Sequence, residues 1–242
     1  MMRLFWMPLC LFGCPCLFGQ AGAADTALVA RAKSYAATLF DTSLASSQHL
    51  YTGTEYMRRS TRAVGTAFWE DQDFQNGDLW YKQQFYPQTP LLYDLEKGQL
   101  VIRDAQQALL IALQNEAVDS FRLGQHLFVN LRDTSSGAAS GFYEKLVDGP
   151  VQLYARRSKY YKLSARADEA ALPYYTEEDS YFIRREELLT AITSEQALLA
   201  TLGDQKDALR SHLREKRLKF KKNKEAVLKE AVLFYNQKKA GT

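Results

Sequence analysis

The chain has 242 residues, 46% of them hydrophobic and 12% aromatic, with 31 Lys/Arg against 28 Asp/Glu, a net charge of +3 and three cysteines. That length supplies one good-sized core, or a core with an appendage. Cys10, Cys14 and Cys16 all fall in the first twenty residues, so the rest of the chain has no disulfide framework, no thiolate nucleophile and no cysteine-ligated metal.

In chain order, a short n-region carrying Arg3 leads into an apolar run from Leu4 to Phe18, interrupted by Pro8, Gly13 and Pro15. It is shorter than the roughly 20 apolar residues a membrane-spanning helix needs. It ends in Ala21-Gly22-Ala23, the small-residue pattern of a cleavable secretory signal. The expectation is a signal peptide over 1–23 and an exported, cysteine-free protein without a transmembrane span, starting at Ala24. Leu11-Phe12-Gly13-Cys14 also loosely resembles a lipoprotein cleavage box, which would leave Cys14 lipidated. The bulky Phe12 and the apolar Pro15-Cys16-Leu17-Phe18 after it favour ordinary cleavage.

Apolar residues at helical spacing predict a weakly amphipathic helix over Thr26–Phe40. Asp41 to Gly77, rich in Ser, Thr, Asp and Gln with scattered aromatics, reads as irregular. Short runs separated by turn residues follow, predicting strands over Leu79–Phe85, Leu91–Asp94, Gln99–Ile102, Ala108–Leu113, Ala117–Leu123 and His126–Leu131. Pro87 and Pro90 serve as punctuation between them. Gly141–Val147 and Val151–Leu163 form a hairpin at Asp148-Gly149, expected as a type I′ turn. Ser164–Asp179 reads as a polar excursion, with Glu177, Glu178 and Asp179 solvated, before a last hairpin of Tyr181–Arg184 and Leu188–Ile192. Helices then follow over Glu195–Leu202, Gln205–Arg217 and Asn223–Gln237, capped by Ser194, Asp204 and Asn223.

The predicted fold is α+β: an N-terminal helix, a large antiparallel β meander (an open half-barrel or sandwich), and C-terminal helices. Residues 24–192 form the helix-plus-β domain. Residues 193–242 form a basic helical segment packed on it or appended to it. From Lys206 onward the chain holds twelve Lys/Arg but four Asp/Glu, so that end carries +8 and the remainder −5.

Candidate chemistry is sparse. His49, His126 and His212 have no metal-pair spacing and are read as structural or solvated, and neither metal nor cofactor is expected. Glu70, Asp71 and Asp73 lie beside Phe68, Trp69 and Phe74. Acids beside aromatics suit a carbohydrate, although solvated loop acids beside core anchors are the preferred reading. The aromatic-rich strands suggest a core or an apolar cavity, for which Leu79, Trp80, Tyr93, Phe121 and Phe128 are the candidate ligand-binding residues. Arg210, Arg214, Arg217, Lys221 and Lys222 are candidates for contact with an anionic surface, with an ordinary solvated face as the plainer alternative.

The strings Leu50-Tyr51-Thr52-Gly53, Leu92-Tyr93-Asp94, Gly141-Phe142-Tyr143-Glu144 and Phe234-Tyr235-Asn236 together resemble a group of uncharacterised exported envelope proteins of Gram-negative bacteria. That resemblance implies residence in the periplasm or on the periplasmic face of the outer membrane. The element order is also similar to periplasmic lipoprotein carriers, at the level of fold alone. The functional expectation is therefore a non-enzymatic envelope protein that binds an apolar ligand or an envelope partner (a protein, lipid or lipopolysaccharide) and no nucleic acid. A structural adaptor is the second reading, and a glycan-acting enzyme using Trp69, Glu70 and Asp71 the third.

Overall fold

A computed structural model describes residues 29, 31, 33, 50–59, 62–104, 109–132, 138–163 and 172–240. The chain divides into two compact units, Met1–Ser46 and Ser47–Thr242, and the fold described here is that of the second. The three cysteines, the expected signal, His49 and nearly all of 26–40 lie outside the described residues.

Eleven strands form one antiparallel sheet: β1 (Gly53–Glu55), β2 (Gln75–Tyr81), β3 (Gln84–Asp94), β4 (Gln99–Arg103), β5 (Leu110–Leu113), β6 (Val118–Leu123), β7 (His126–Leu131), β8 (Gly141–Val147), β9 (Val151–Lys162), β10 (Tyr174–Arg185) and β11 (Leu188–Ala191). Among the described residues three helices come after the last strand: α1 (Glu195–Thr201), α2 (Lys206–Glu215) and α3 (Lys224–Ala240). This corrects the α+β expectation. The fold is a mostly-β open sheet carrying helices at its C-terminal end, and no N-terminal helix is an element of the described residues.

The strand order, β1-β5-β4-β3-β2-β6-β7-β8-β9-β10-β11, is not a single meander. From β5 to β6 the chain passes over three intervening strands, about 19 Å if the sheet were flat at 4.8 Å per strand. Only residues 114–117 make that link, and Asn115–Ala117 are a 3₁₀ turn, which spans well under the roughly 17 Å of a fully extended chain. The sheet must therefore curl through β2–β6. The inner side of the curl is filled by Leu79, Leu91, Tyr93, Leu100, Phe121, Phe128 and Phe142. Burying each such side chain contributes about 1.5–3 kcal/mol.

Three local departures from the sequence reading have physical causes. Lys82 and Gln83 both take positive φ (50° and 64°) and turn the expected strand Leu79–Phe85 into the β2–β3 hairpin. Pro87 and Pro90 lie inside β3: Pro87 falls at the bulge between the pairs Gly77↔Thr89 and Leu79↔Tyr86, and Pro90 stays in register opposite Asn76, short of the β3–β4 ladder that begins at Leu92. At Asp148-Gly149 only Gly149 has positive φ (141°), so the hairpin is present but its turn is not type I′. The link runs through Pro150, and Asp148 Oδ1 accepts from the Gly149 N–H at 3.1 Å.

Part of the expected acidic excursion is strand: β10 begins at Tyr174 and pairs with β9 from Tyr174↔Lys162 to Arg185↔Val151. The helices cover the other part of the sheet. Leu153, Ala155, Tyr181 and Ile183 of β9 and β10 pack with Leu198, Leu209, Leu213, Val227, Leu228 and Tyr235 in one cluster. Ser194 caps α1 by accepting from the Ala197 N–H, and Asn223 caps α3 by accepting from the Ala226 N–H. Asp204 is no cap: it lies in a 3₁₀ turn and accepts from the Tyr235 hydroxyl and from Lys239. Asn236 of α3 grips Val151 at the mouth of the β8–β9 hairpin, accepting from its N–H at 3.0 Å and donating to its C=O at 2.8 Å.

The irregular stretch before β2 acts as a strap. Val64 bridges Tyr174 and exchanges bonds with Pro173 and Tyr175, while the Trp69 N–H donates to Tyr93 C=O and the Leu95 N–H to Ala67 C=O. The strap thus ties the end of β3 to the start of β10.

Candidate functional site

Beneath the strap, charged side chains occupy inward positions of the sheet. Along β9 the inward parity runs Val151, Leu153, Ala155 and then Arg157 and Lys159. β10 sets Asp179 directly opposite Arg157 and Glu177 opposite Lys159. From the other side, β8 contributes Glu144, aligned with Phe128 of β7, and β7 contributes His126.

Arg157 is the hub. Its guanidinium donates Nε–H to Glu144 at 2.7 Å and pairs with Asp179 and, at 2.8 Å, with Glu225 of α3. Burial pulls this group down, but Glu144, Asp179 and Glu225 more than offset it and hold it above the ordinary arginine range. Glu225 feels the converse: burial pushes its carboxyl up, while Lys229 and Arg157 outweigh that and leave it below the usual range. Tyr181 donates its hydroxyl to Glu225 at 3.1 Å, and burial together with Glu225 and Asp179 pushes its phenol up.

Glu144, only 4% exposed, also accepts from His126 Nδ1 at 2.5 Å. This bond fixes the imidazole and leaves Nε2 facing the Glu70 carboxylate at 3.8 Å. Trp69 lies edge-on to His126 and Phe128, with ring centroids 5.0 and 5.2 Å away, and Arg157 stands 5.8 Å from its ring centre. Lys159 fastens the strap, donating to Phe68 C=O at 2.8 Å and pairing with Glu177 at 3.1 Å. Over this floor opens a cleft of about 280 Å³ bordered by Trp69, Glu70, His126, Lys159, Glu177 and Asp179. Glu70 reaches the cleft from a residue with φ 53°, a left-handed conformation costing a non-glycine residue about 1–2 kcal/mol. Its side chain is 54% exposed and that of Glu177 73%, so carboxylates dominate the mouth.

On the other side of the strap a cavity of about 510 Å³ is bordered by Arg58, Arg62, Lys97, Asp94 and Glu96. Its floor is Asp94, 1% exposed, which accepts from the Tyr56 hydroxyl at 2.6 Å and from the N–H groups of Glu96 and Lys97. Asp94 is thus committed to holding the strand end.

The candidate apolar residues separate by strand parity. Leu79, Tyr93, Phe121 and Phe128 share the inner cluster, with Tyr93, Phe121 and Phe128 rings 4.9–5.1 Å apart in mutual contact. Trp80 faces the opposite side of β2, beside Phe85. Tyr93 also borders a cavity of about 240 Å³ with Arg156, Lys159 and Phe142. Of the carbohydrate candidates, Trp69 and Glu70 reach the cleft, whereas Asp71 is exposed in the turn and accepts from the Gln72 N–H. Arg210, Arg214, Arg217, Lys221 and Lys222 are all exposed on and after α2. His212 has its own partner, donating from Nε2 to the Glu230 carboxylate at 2.7 Å. Among the described residues no group of three or more His, Cys, Asp or Glu forms a metal-binding cluster, and no helix is long and apolar enough to cross a membrane.

From the sequence His126 reads as structural or solvated, and Glu144, Arg157 and Lys159 do not stand out, because the four sit on three strands with no shared motif. The signal available was parity: Arg157 and Lys159 continue the buried series of β9, where an unpaired charge would be costly. Comparison of the chain with protein-family models, curated proteins and solved structures finds no match.

Proposed function

We propose that the protein is an exported, non-catalytic binding protein of the cell envelope that holds a polar ligand, or a polar group of an envelope partner, in the cleft beneath the strap. The carrying observation is the contrast between two surfaces. The aromatic inner side of the sheet is occupied by rings in mutual contact, whereas the open cleft is floored by a fixed Glu144–His126–Arg157 cluster. Fixed polar groups bind without reorganisation cost, which is what gives a small concave site its specificity.

The cleft also has a sign. Glu70, Glu177 and Asp179 line it against Lys159 and Arg157, and Arg157 is already neutralised by Glu144, Asp179 and Glu225. The surplus is negative, so the ligand class is one bearing ammonium and hydroxyl groups, such as an amino-sugar oligomer. Residence on the periplasmic side, with an envelope protein, lipid or lipopolysaccharide as partner, belongs to the same proposal.

Isothermal titration with a glucosamine oligomer is expected to give saturable binding that Glu70→Gln/Glu177→Gln weakens about tenfold, a combined loss near the low end of the roughly 1.5–3 kcal/mol of one charge-assisted bond because both carboxylates are more than half exposed. Saturable binding of a fatty acid with none of the oligomer would reject the polar cleft in favour of an apolar cargo. A second reading, glycan hydrolysis, rests on the imidazole held by Glu144 beside the Glu70 carboxylate. It requires glycan turnover that Glu70→Gln abolishes, and unchanged turnover in that variant disposes of it.

A further inference from the structure

Between α2 and α3 the chain does not trail loosely. The Leu218 N–H donates to Leu213 C=O at 3.1 Å, the Arg217 N–H to Arg214 C=O at 3.0 Å, and the Lys222 and Asn223 N–H groups both return to Lys219 C=O. Leu218 and Phe220 are partly buried against the helical core. Arg217, Lys219, Lys221 and Lys222, which flank and alternate with them, are exposed. Arg217 closes α2 at φ 55°, the C′ position normally given to glycine. The result is a rigid loop whose apolar residues point inward and whose cations point outward, continued along α2 by Arg210 and Arg214.

These cations are also unneutralised. Arg214, Arg217, Lys219, Lys221 and Lys222 form no salt bridge with any described residue, and Arg210 has only a 3.9 Å contact with Asp207. A face that serves solubility alone mixes both signs, but between Lys206 and Asn223 the only acids are Asp207 and Glu215.

We propose that this face docks peripherally on an anionic phospholipid surface. The charges are presented on one fixed loop and the adjoining helix, and most are lysine or arginine at loop tips, which suits a fluid layer of phosphates. The aromatic residue of the loop, Phe220, is turned inward, so the surface lacks the exposed stacking platform that single-stranded nucleic acid uses. With no described helix able to cross a membrane, attachment through this face is reversible and salt-sensitive. The inference is independent of the cleft.

The test is co-sedimentation of the full chain with phosphatidylglycerol-containing vesicles and with neutral phosphatidylcholine vesicles. Binding is expected to the anionic vesicles only and to fall with added salt. At roughly 1 kcal/mol per basic residue near the surface, Lys219→Ala/Lys221→Ala/Lys222→Ala lowers the partition coefficient about 100-fold, and the corresponding triple Arg variant restores it. The substituted side chains are exposed, so an unchanged melting temperature shows that the fold survives. Equal binding to neutral vesicles, an unaffected triple Ala variant, or capture by heparin or RNA without vesicle binding would each overturn the proposal.

Discussion

Replacing Arg157 by Met keeps an apolar stem in place of the methylene chain and removes the guanidinium with its charge, which isolates what that group does at the junction of sheet, strap and helix. In the native protein Glu144 is 4% exposed and has Arg157 and His126 as its partners. Without Arg157 a nearly buried carboxylate keeps a single imidazole neighbour, and Asp179 and Glu225 lose the same counter-charge. Removing one partner from a buried ion pair costs about 3–5 kcal/mol, because the remaining charge is left unpaid in a poorly solvated site. For a domain of this size, at 2–4 °C per kcal/mol, that is a fall in melting temperature of about 6–20 °C. The assay is thermal unfolding at neutral pH of wild type, Arg157→Met, Glu144→Gln and the double variant. The double variant must recover a large part of the loss, since it removes the orphaned charge along with its partner. A loss below about 1 kcal/mol, or a loss that Glu144→Gln does not relieve, would refute the view that Glu144 depends on Arg157.

Three further outcomes follow from particular contacts. Asn236→Ala deletes both bonds to Val151, for an expected loss of about 1–3 kcal/mol in denaturant unfolding; Gly149→Ala brings a Cβ to 2.7 Å from Asn236 Nδ2 and should destabilise too, and if neither does, the α3–hairpin tie is not a stabilising contact. Phe128→Ala empties a site whose ring touches Tyr93, Phe121 and Trp69 and should cost about 3–5 kcal/mol, clearly more than Trp80→Ala on the half-exposed face; equal costs would argue for a hollow inner side. Glu225, with its folded-state pKa depressed, contributes stability that is complete above its unfolded pKa and is lost as pH falls below about 4.3 and through the lower folded value, so the melting temperature of Glu225→Gln should decline less than wild type between neutral and strongly acidic pH; parallel declines would contradict the assignment.

Much of the fold was legible because strand and helix periods are local. β7 and β8 begin and end where alternation and turn residues predict, and α1 and α3 start at the Ser194 and Asn223 caps. What failed had non-local causes. Nothing in Lys82-Gln83 announces a turn, since neither residue favours positive φ; pairing of β2 with β3 imposes it. Pro87 and Pro90 read as breaks, yet Pro87 sits at a bulge and Pro90 lies before the β3–β4 ladder begins at Leu92, so the strand accommodates both. Tyr174 to Asp179 reads as an irregular excursion, yet it is strand paired with β9, which sets Lys159 opposite Glu177 and Arg157 opposite Asp179 while Glu177 and Glu178 stay exposed. The cleft shows the same limit. Trp69 and Glu70 stood out as acid beside aromatic, but the partners that give them meaning are brought close only by the curl of the sheet and by the strap. His126 was read as structural or solvated, and its bond to Glu144 depends on β7 and β8 pairing in one register.

The central claim, that a polar cleft rather than the aromatic interior receives the ligand, is tested most directly by side-chain NMR of the full protein during titration with a glucosamine oligomer. Saturable shifts are expected at the His126 imidazole and Trp69 indole, with the Phe121 and Tyr93 ring signals unmoved. Shifts confined to Phe121, Phe128 and Tyr93, or appearing only on titration with a fatty acid, would contradict it.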